Sequence, residues 1–462
     1  MTQAPSGKRR HPQKNRAPET KGPAPAGLVS RQAAAKLLAA VIDAHTPLDG
    51  MTDGAHGHPQ YRALDERDRG LVRAILNSAL RHRRTIAKLI ADRLERPLPA
   101  NALSLSHILH VGLAQILFLD VPDSAAVDIA VEQAKADPRT ARFAGLVNAI
   151  LRSVAREKET ALPAALAAQA DAPDWFISRL TKAYGEAKAG AILAAHRTEA
   201  AIDFTVKADA LHWAGTLGGI VLPTGSVRVN EMSGPVSGLP GYADGEWWVQ
   251  DAAAALPARL MGEIAGKRVA DLCAAPGGKT AQLALAGGKV TAVEMSPNRL
   301  KRLGENLARL GLEAELVHAD LTKFDPPEHF DAILLDAPCS STGTVRRHPD
   351  VAWTKTEADI TKLAGVQRRL LDHAFRVLKP GGRLVFSNCS LDPEEGERLI
   401  AGFLAETKGA ALDPVQPDEA AGIADFITRE GYLRTTPADL DMGKPEISGL
   451  DGFFAARIVK GV

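Results

Sequence analysis

The chain has 462 residues, 45% of them hydrophobic and 24% charged, enough for two or three domains with cores of their own. The formal net charge of +1 neither points to nucleic acid nor excludes it. Three widely separated cysteines, Cys273, Cys339 and Cys389, exclude a disulfide framework and a C-x-x-C zinc site, and no apolar stretch reaches membrane length.

Residues 1–27 carry Lys8, Arg9, Arg10, Lys14, Arg16 and Lys21 against a single acid, Glu19, with several prolines. This composition predicts a disordered basic tail, either a phosphate-contacting arm or a solubilising leader. It lacks the apolar core of a signal peptide, so a cytoplasmic protein is expected.

Residues 28–158 read as all helix. Apolar residues recur at spacings of three and four over 30–43, 66–80, 82–96, 105–119, 124–136 and 139–156, punctuated by Pro97, Pro99, Pro122 and Pro138. Arg67, Arg69, Arg73, Arg81, Arg83 and Arg84 concentrate base on two successive helices, as a solvated face or an RNA contact. Leu64-Asp-Glu-Arg-Asp-Arg-Gly70 and Phe143-Ala-Gly-Leu-Val-Asn-Ala-Ile-Leu-Arg152 resemble the NusB-like helical RNA-binding domain.

Residues 159–250 form a mixed segment. Alanine-rich 161–170 predicts a helix, and Ala172-Pro-Asp-Trp-Phe176 opens another with Asp174 as its cap. Short strands are expected at 201–206, 219–222 and 247–249, giving a small α+β subdomain. Trp247 and Trp248 are assigned to a domain interface in preference to base stacking.

From 251 to 462 strands alternate with helices. Strands are expected at 268–272, 289–294, 314–318, 331–335, 383–388, 430–434 and 453–459, and helices at 279–286, 297–310, 357–378 and 394–406. Such alternation builds an α/β doubly wound parallel sheet, whose ligands sit at the strands' C-terminal ends. The first loop is Asp271-Leu-Cys-Ala-Ala-Pro-Gly-Gly-Lys-Thr280, with glycines between a strand and a helix N-terminus. It is neither a Walker A loop nor G-x-G-x-x-G, so the anion expected there is the carboxylate of S-adenosylmethionine, with Lys279 as a second cationic contact. Glu294 ends the next strand and suits ribose hydroxyls; Asp320 follows the third and suits the adenine amino group.

Two later strands each end at a cysteine. Ala332–Leu335 leads into Asp336-Ala-Pro-Cys-Ser340, and Arg383–Asn388 into Cys389-Ser390. Together with Cys-Ala-Ala-Pro-Gly-Gly-Lys at 273–279, Arg-Arg-His-Pro-Asp at 346–350 and Asp-Gly-Phe-Phe at 451–454, these phrases resemble the bacterial small-subunit ribosomal RNA cytosine-C5 methyltransferase B (RsmB/Sun) family. The resemblance spans 28–462 and implies a Rossmann-like methyltransferase core, a NusB-like domain before it and an RNA-recognition-like platform between them. It implies Cys389 as the nucleophile, Cys339 as the group that assists proton removal and release, and Asp336 as the contact to the cytosine edge. It also implies cofactor contacts from Cys273, Ala274, Ala275, Pro276, Gly277, Gly278, Lys279, Glu294, Asp320 and Asp336. No metal is expected, the partner is small-subunit rRNA, and the protein is expected to be a monomer. Asn388 stands where the family has Thr, and Ser341 where it has Gly.

Three other readings remain open at this level. One is a DNA cytosine-C5 methyltransferase with Cys339 as nucleophile; a second acts on another RNA such as tRNA. The third is an RNA-binding assembly factor with a weak or inactive core.

Overall fold

The computed structural model describes residues 25–54, 56–99, 102–232 and 234–462. The basic residues Lys8 to Lys21 lie outside the described residues.

Helix Leu103–Phe118 is the axis of an N-terminal bundle. Leu105, Ile108, Leu109, Leu113 and Ile116 are all buried, so it is apolar nearly all round and needs neighbours on every side. Helices Leu28–Ala44, Glu66–Arg81, Asp123–Ala136 and Ala144–Ala168 supply them. Helix Ala144–Ala168 approaches closely at Gly112, where a Cβ would lie 2.9 Å from Leu151 Cδ1. Asp65 starts the Glu66–Arg81 helix by accepting from the Asp68 N–H at 2.7 Å.

Two expectations fail here for identifiable reasons. The predicted helices 139–156 and 161–170 are one helix, Ala144–Ala168, with Pro163 inside it. An interior proline costs about 3 kcal/mol. The surrounding alanines favour helix, and Leu162 and Ala165 pack on the bundle core, which offsets that cost. Asp174 is not a cap: Pro173 holds the cap position of helix Asp174–Ala195, and the Asp174 carboxylate pairs with Arg84 at 2.6 Å instead.

Next along the chain is a four-stranded antiparallel platform, formed by β1 (Ile202–Val206), β2 (Ile220–Val221), β3 (Val227–Val229) and β4 (Trp247–Val249) in the order β2-β3-β1-β4. β3, absent from the expected strands, is only three residues long and buries its arginine. Arg228 faces Asp203 across β1 and β3, bonded at 2.7 and 2.8 Å, and both side chains are fully buried. Trp248 packs against Ala274, Ala281 and Leu303 of the C-terminal domain, whereas Trp247, expected at an interface, lies in the platform's own core and meets Phe204 edge-on at 4.8 Å.

The C-terminal sheet contains β5 (Arg268–Leu272), β6 (Lys289–Glu294), β7 (Glu315–His318), β8 (Phe330–Asp336), β9 (Leu378–Asn388), β10 (Ala410–Leu412), β11 (Leu433–Thr435) and β12 (Phe453–Lys460). Its order is β10-β12-β9-β8-β5-β6-β7, with β11 on β12. Strands β5 to β9 run parallel, whereas β10, β11 and β12 add antiparallel pairs, so the sheet is mixed rather than wholly parallel. Helix Glu357–Arg376 ends just before β9, which starts at Leu378 and includes the Lys379-Pro-Gly-Gly382 stretch. Strand order reverses between β5 and β8, the position where open α/β sheets bind ligands.

The bundle docks on this domain through residues 346–353. Leu48 N donates to Asp350 at 2.9 Å, Trp353 Nε1 donates to Leu80 O at 3.1 Å, and the buried Arg81 donates to Arg346 O at 2.9 Å. Arg83 stacks over Trp353 at 5.7 Å, and Arg302 pairs with Asp53 at 2.9 Å. The arginine cluster is therefore not one solvated or RNA-facing surface. Arg81 and Arg83 face the seam, where a carbonyl and an indole take their guanidinium groups, and Arg84 is held by Ala172 O and Asp174 at the start of the next helix. Arg67 and Arg73 remain exposed.

Candidate functional site

β8 and β9 are adjacent and parallel, with Asp336 level with Ser387. The loops that leave the two strands therefore lie side by side. Ala337 N donates to Ser387 O at 2.8 Å and Gly343 N to Cys389 O at 2.9 Å, which ties one loop to the other. The Cys339 and Cys389 sulfurs come to 3.4 Å. Both thiols are partly accessible. The hydrogen bond to Cys389, with burial, holds the Cys339 thiol well above its ordinary value, so Cys339 stays protonated at neutral pH.

Asp336 is held from two sides. Lys279 Nζ donates to one oxygen at 2.7 Å and Ser387 Oγ to the other at 2.9 Å. Lys279 also sits 4.8 Å above the Phe453 ring. In this structure its partner is a protein carboxylate at the sheet edge.

The 273–279 loop turns sharply. Cys273 has φ 64 and Gly277 φ 102, and a Cβ on Gly277 would lie 2.9 Å from Leu303 Cγ. The Ala275–Pro276 peptide is cis. Helix Gly278–Leu285 starts at once, so its first N–H groups point out of the loop. Burial pushes the Cys273 thiol up to about 12, which leaves it unreactive. A cavity of about 440 Å³ runs along this loop, lined also by Trp248, Gln250, Asp271, Arg309 and Asp336. Glu294, Asp320 and the Cys339 and Cys389 thiols lie outside that lining.

Two buried acceptors await donors. Asp271, which lines the cavity, accepts from Thr280 at 2.6 Å through Oδ2, whereas its buried Oδ1 has no partner. Burial pushes the Asp271 carboxyl up to about 7. Glu294 Oε1 accepts from Ser296 N at 2.9 Å; Oε2 lies 3.2 Å from Arg299 but has no aligned donor. Unmet buried carboxylate oxygens beside a glycine loop fit a ligand carrying an ammonium group and sugar hydroxyls. Asp320 is more open; it caps the turn Leu321–Lys323 and accepts from Thr322 Oγ1 at 2.8 Å and from Thr322 N at 3.0 Å, which together lower its carboxyl.

Both departures from the family wording are accommodated. Ser341 keeps φ 59, the left-handed conformation that glycine adopts freely. Asn388 is buried; its amide donates to Glu395 O at 2.7 Å and its carbonyl accepts from Ser390 N at 3.0 Å.

Several contributors carry no distinguishing mark in the sequence. Glu395 falls inside a predicted helix, yet the helix begins at Glu397 and Glu395 is buried beneath both cysteine loops. Asp-Gly-Phe-Phe marks the resemblance, but the sequence assigns it no roles. Gly452 packs on Gly343, where a Cβ would lie 2.0 Å from Gly452 O, and Phe453 lies under Lys279. Asp451 joins a buried network at the platform seam. Arg347 lies 2.6 Å from Asp251, 3.2 Å from Asp451 and 3.6 Å from Asp203.

Among the described residues no helix is long and apolar enough to cross a membrane, and no cluster of His, Cys, Asp and Glu could hold a metal.

Residues 260–459 match the family described as 16S rRNA methyltransferase RsmB/F, and residues 28–156 match the NusB family. The chain is 34% identical to the ribosomal RNA small subunit methyltransferase B of Klebsiella pneumoniae, over 87% of this chain and 92% of that one. It is 34% identical to the protein of the same name from Vibrio cholerae, over 84% and 92%. A methyltransferase homolog protein from Pyrococcus horikoshii, solved by crystallography, is 29% identical with a TM-score of 0.50, over 62% of this chain and 94% of that one. A glycine loop with unmet acceptors, paired strand-end cysteines and relatives matched along most of their length agree: the chain belongs to the RsmB/F family of 16S rRNA methyltransferases, with a NusB domain at its N-terminal side.

Proposed function

We propose that this S-adenosylmethionine-dependent rRNA methyltransferase acts on carbon 5 of a cytosine in 16S rRNA through a covalent adduct with Cys389. The observation that carries the reading is the pair of thiols 3.4 Å apart beside Asp336. One thiol can attack while the other remains a proton-carrying group.

Carbon 5 of cytosine is a weak nucleophile. The Cys389 thiolate adds to carbon 6, and the electrons of the 5,6 double bond shift so that carbon 5 becomes nucleophilic. Asp336 receives the N3 and N4 edge and stabilises the developing charge. Bound S-adenosylmethionine supplies an electrophilic methyl group, and its sulfur keeps the electrons of the broken bond. A water held against the Cys339 thiol carries the carbon 5 proton to solvent, the C–H electrons restore the 5,6 double bond, and the Cys389 thiolate leaves with the electrons of its bond to carbon 6. Lys279 holds Asp336 in place, and Asp271 and Glu294 receive the cofactor's ammonium and ribose hydroxyls. The target base must leave its stack to reach a site at a sheet edge, which favours a loop or partly unfolded rRNA. The protein works in the cytoplasm as a monomer without metal, and exposed basic residues of the bundle and the tail contact phosphate.

A denaturing gel of wild type, Cys389→Ala and Cys339→Ala with labelled rRNA and cofactor tests this. Cys339→Ala should accumulate a covalent protein–RNA band and Cys389→Ala none. A band from Cys389→Ala would overturn the assignment.

A further inference from the structure

Each cysteine is followed by a serine, and both serines converge on one carboxylate. Ser340 N donates to Glu395 Oε1 at 2.9 Å, and the Ser340 hydroxyl donates to Oε2. Ser390 Oγ donates to the same Oε2 at 2.6 Å. Gln367 Nε2 donates to Oε1 at 2.8 Å and to Pro338 O at 2.9 Å, gripping the residue before Cys339 as well. Thr342 Oγ1 lies 3.3 Å from Ser340 Oγ and 3.2 Å from Ser390 Oγ, closing the ring.

Glu395 is fully buried, and every partner named here is neutral. A buried carboxylate facing only neutral donors is costly, and burial raises its pKa accordingly. Stability alone would favour an apolar side chain or a cation beside it. The position makes sense as an acceptor with two oxygens that must take donors from both cysteine loops at once. A carboxylate meets that requirement; an amide would offer one acceptor and two donors.

We propose that Glu395 is a positioning residue that sets the spacing of the two thiols and thereby the release step. This rests on the cysteine roles given above. The two loops do not depend on it equally. Cys389 directly follows β9, whose Asn388 is paired with Phe454 in the sheet. Cys339 follows Ala337 and the exposed Pro338, on a loop outside the ladder. Loss of the carboxylate therefore displaces Cys339 more than Cys389, and attack and methyl transfer survive better than release.

The test compares Glu395→Gln, Ser390→Ala and Cys339→Ala with wild type, using labelled 16S rRNA and cofactor. Single-turnover methylation, steady-state turnover, the denaturant-stable protein–RNA band and thermal stability are measured together. Glu395→Gln should keep single-turnover methylation, lose turnover by about 10²-fold, as expected for a misplaced group, and accumulate the band. Ser390→Ala, which removes one arm, should show the same split to a smaller degree and serves if Glu395→Gln folds poorly. A purely structural role would lower both rates and Tm without a band. Absence of a band from both Glu395→Gln and Ser390→Ala, with the Cys339→Ala band present, overturns the positioning role alone. Absence of a band from Cys339→Ala overturns the reading of the thiols, and this role with it.

Discussion

The sharpest stability test lies at the platform seam, at Arg347→Met. Arg347 reaches Asp251 at 2.6 Å, Asp451 at 3.2 Å and Asp203 at 3.6 Å, and donates to Ala201 O at 2.8 Å. Those three carboxylates are at most 6% exposed. Arg228 already serves Asp203, so the substitution strands Asp251 and Asp451. Removing one partner of a buried pair costs about 3–5 kcal/mol. The loss should depend on pH. Burial, reinforced by the charge on Asp251, pushes the Asp451 carboxyl up to about 7. A raised folded-state value means that its favourable contribution is present at low pH and is lost as pH rises through about 7. Without the guanidinium, ionisation there is worse still, so the deficit should be largest near about pH 8 and shrink toward about pH 5. Urea unfolding at both pH values measures it. The double variant Arg347→Met with Asp251→Asn should recover part of the loss, since a neutral amide is cheaper to bury than a stranded charge. A deficit below about 1 kcal/mol, or no recovery in the double variant, would refute the account.

Two predictions concern the cofactor loop. Glu294→Ala removes a buried acceptor and should weaken S-adenosylmethionine binding by about 1.5–3 kcal/mol, roughly 10- to 150-fold in Kd by titration calorimetry; an unchanged Kd would remove Glu294 from the ribose contact. Asp271 holds a proton below about 7, so cofactor affinity should rise from about pH 6 to about pH 8, and Asp271→Asn should flatten that rise. The same raised value means that the cofactor-free protein gains stability from Asp271 as pH falls through about 7.

The two cysteines were legible because a strand ending in a thiol is a local pattern, and a parallel neighbour in register brings two such patterns together. The cofactor loop was legible because glycines between strand and helix have few other uses. The bundle arginines were not, since charge clustering says nothing about which way a guanidinium faces: Arg81 and Arg67 look alike in sequence, yet one is buried in a seam. β3 escaped because three residues are too few to register, although Val227-Arg228-Val229 does alternate; its buried arginine is paired with Asp203. β10, with three residues, is too short for any period to register. Glu395 was invisible because its partners come from residues 340, 367 and 390, a convergence that only the folded chain reveals.

The crossing of Gly343 and Gly452 bears on how the enzyme is made. Gly452 N donates to Gly343 O at 2.8 Å, so a backbone segment synthesised long after both cysteines closes over the Cys339 loop. A nascent chain that has emerged only through residue 450 carries both thiols and the whole glycine loop. It lacks Asp451 at the seam, Gly452 on the loop, Phe453 beneath Lys279 and the strand that pairs with β9. Vectorial synthesis thus delivers both cysteine loops and the glycine loop before β12 enters between β9 and β10 and completes their surroundings.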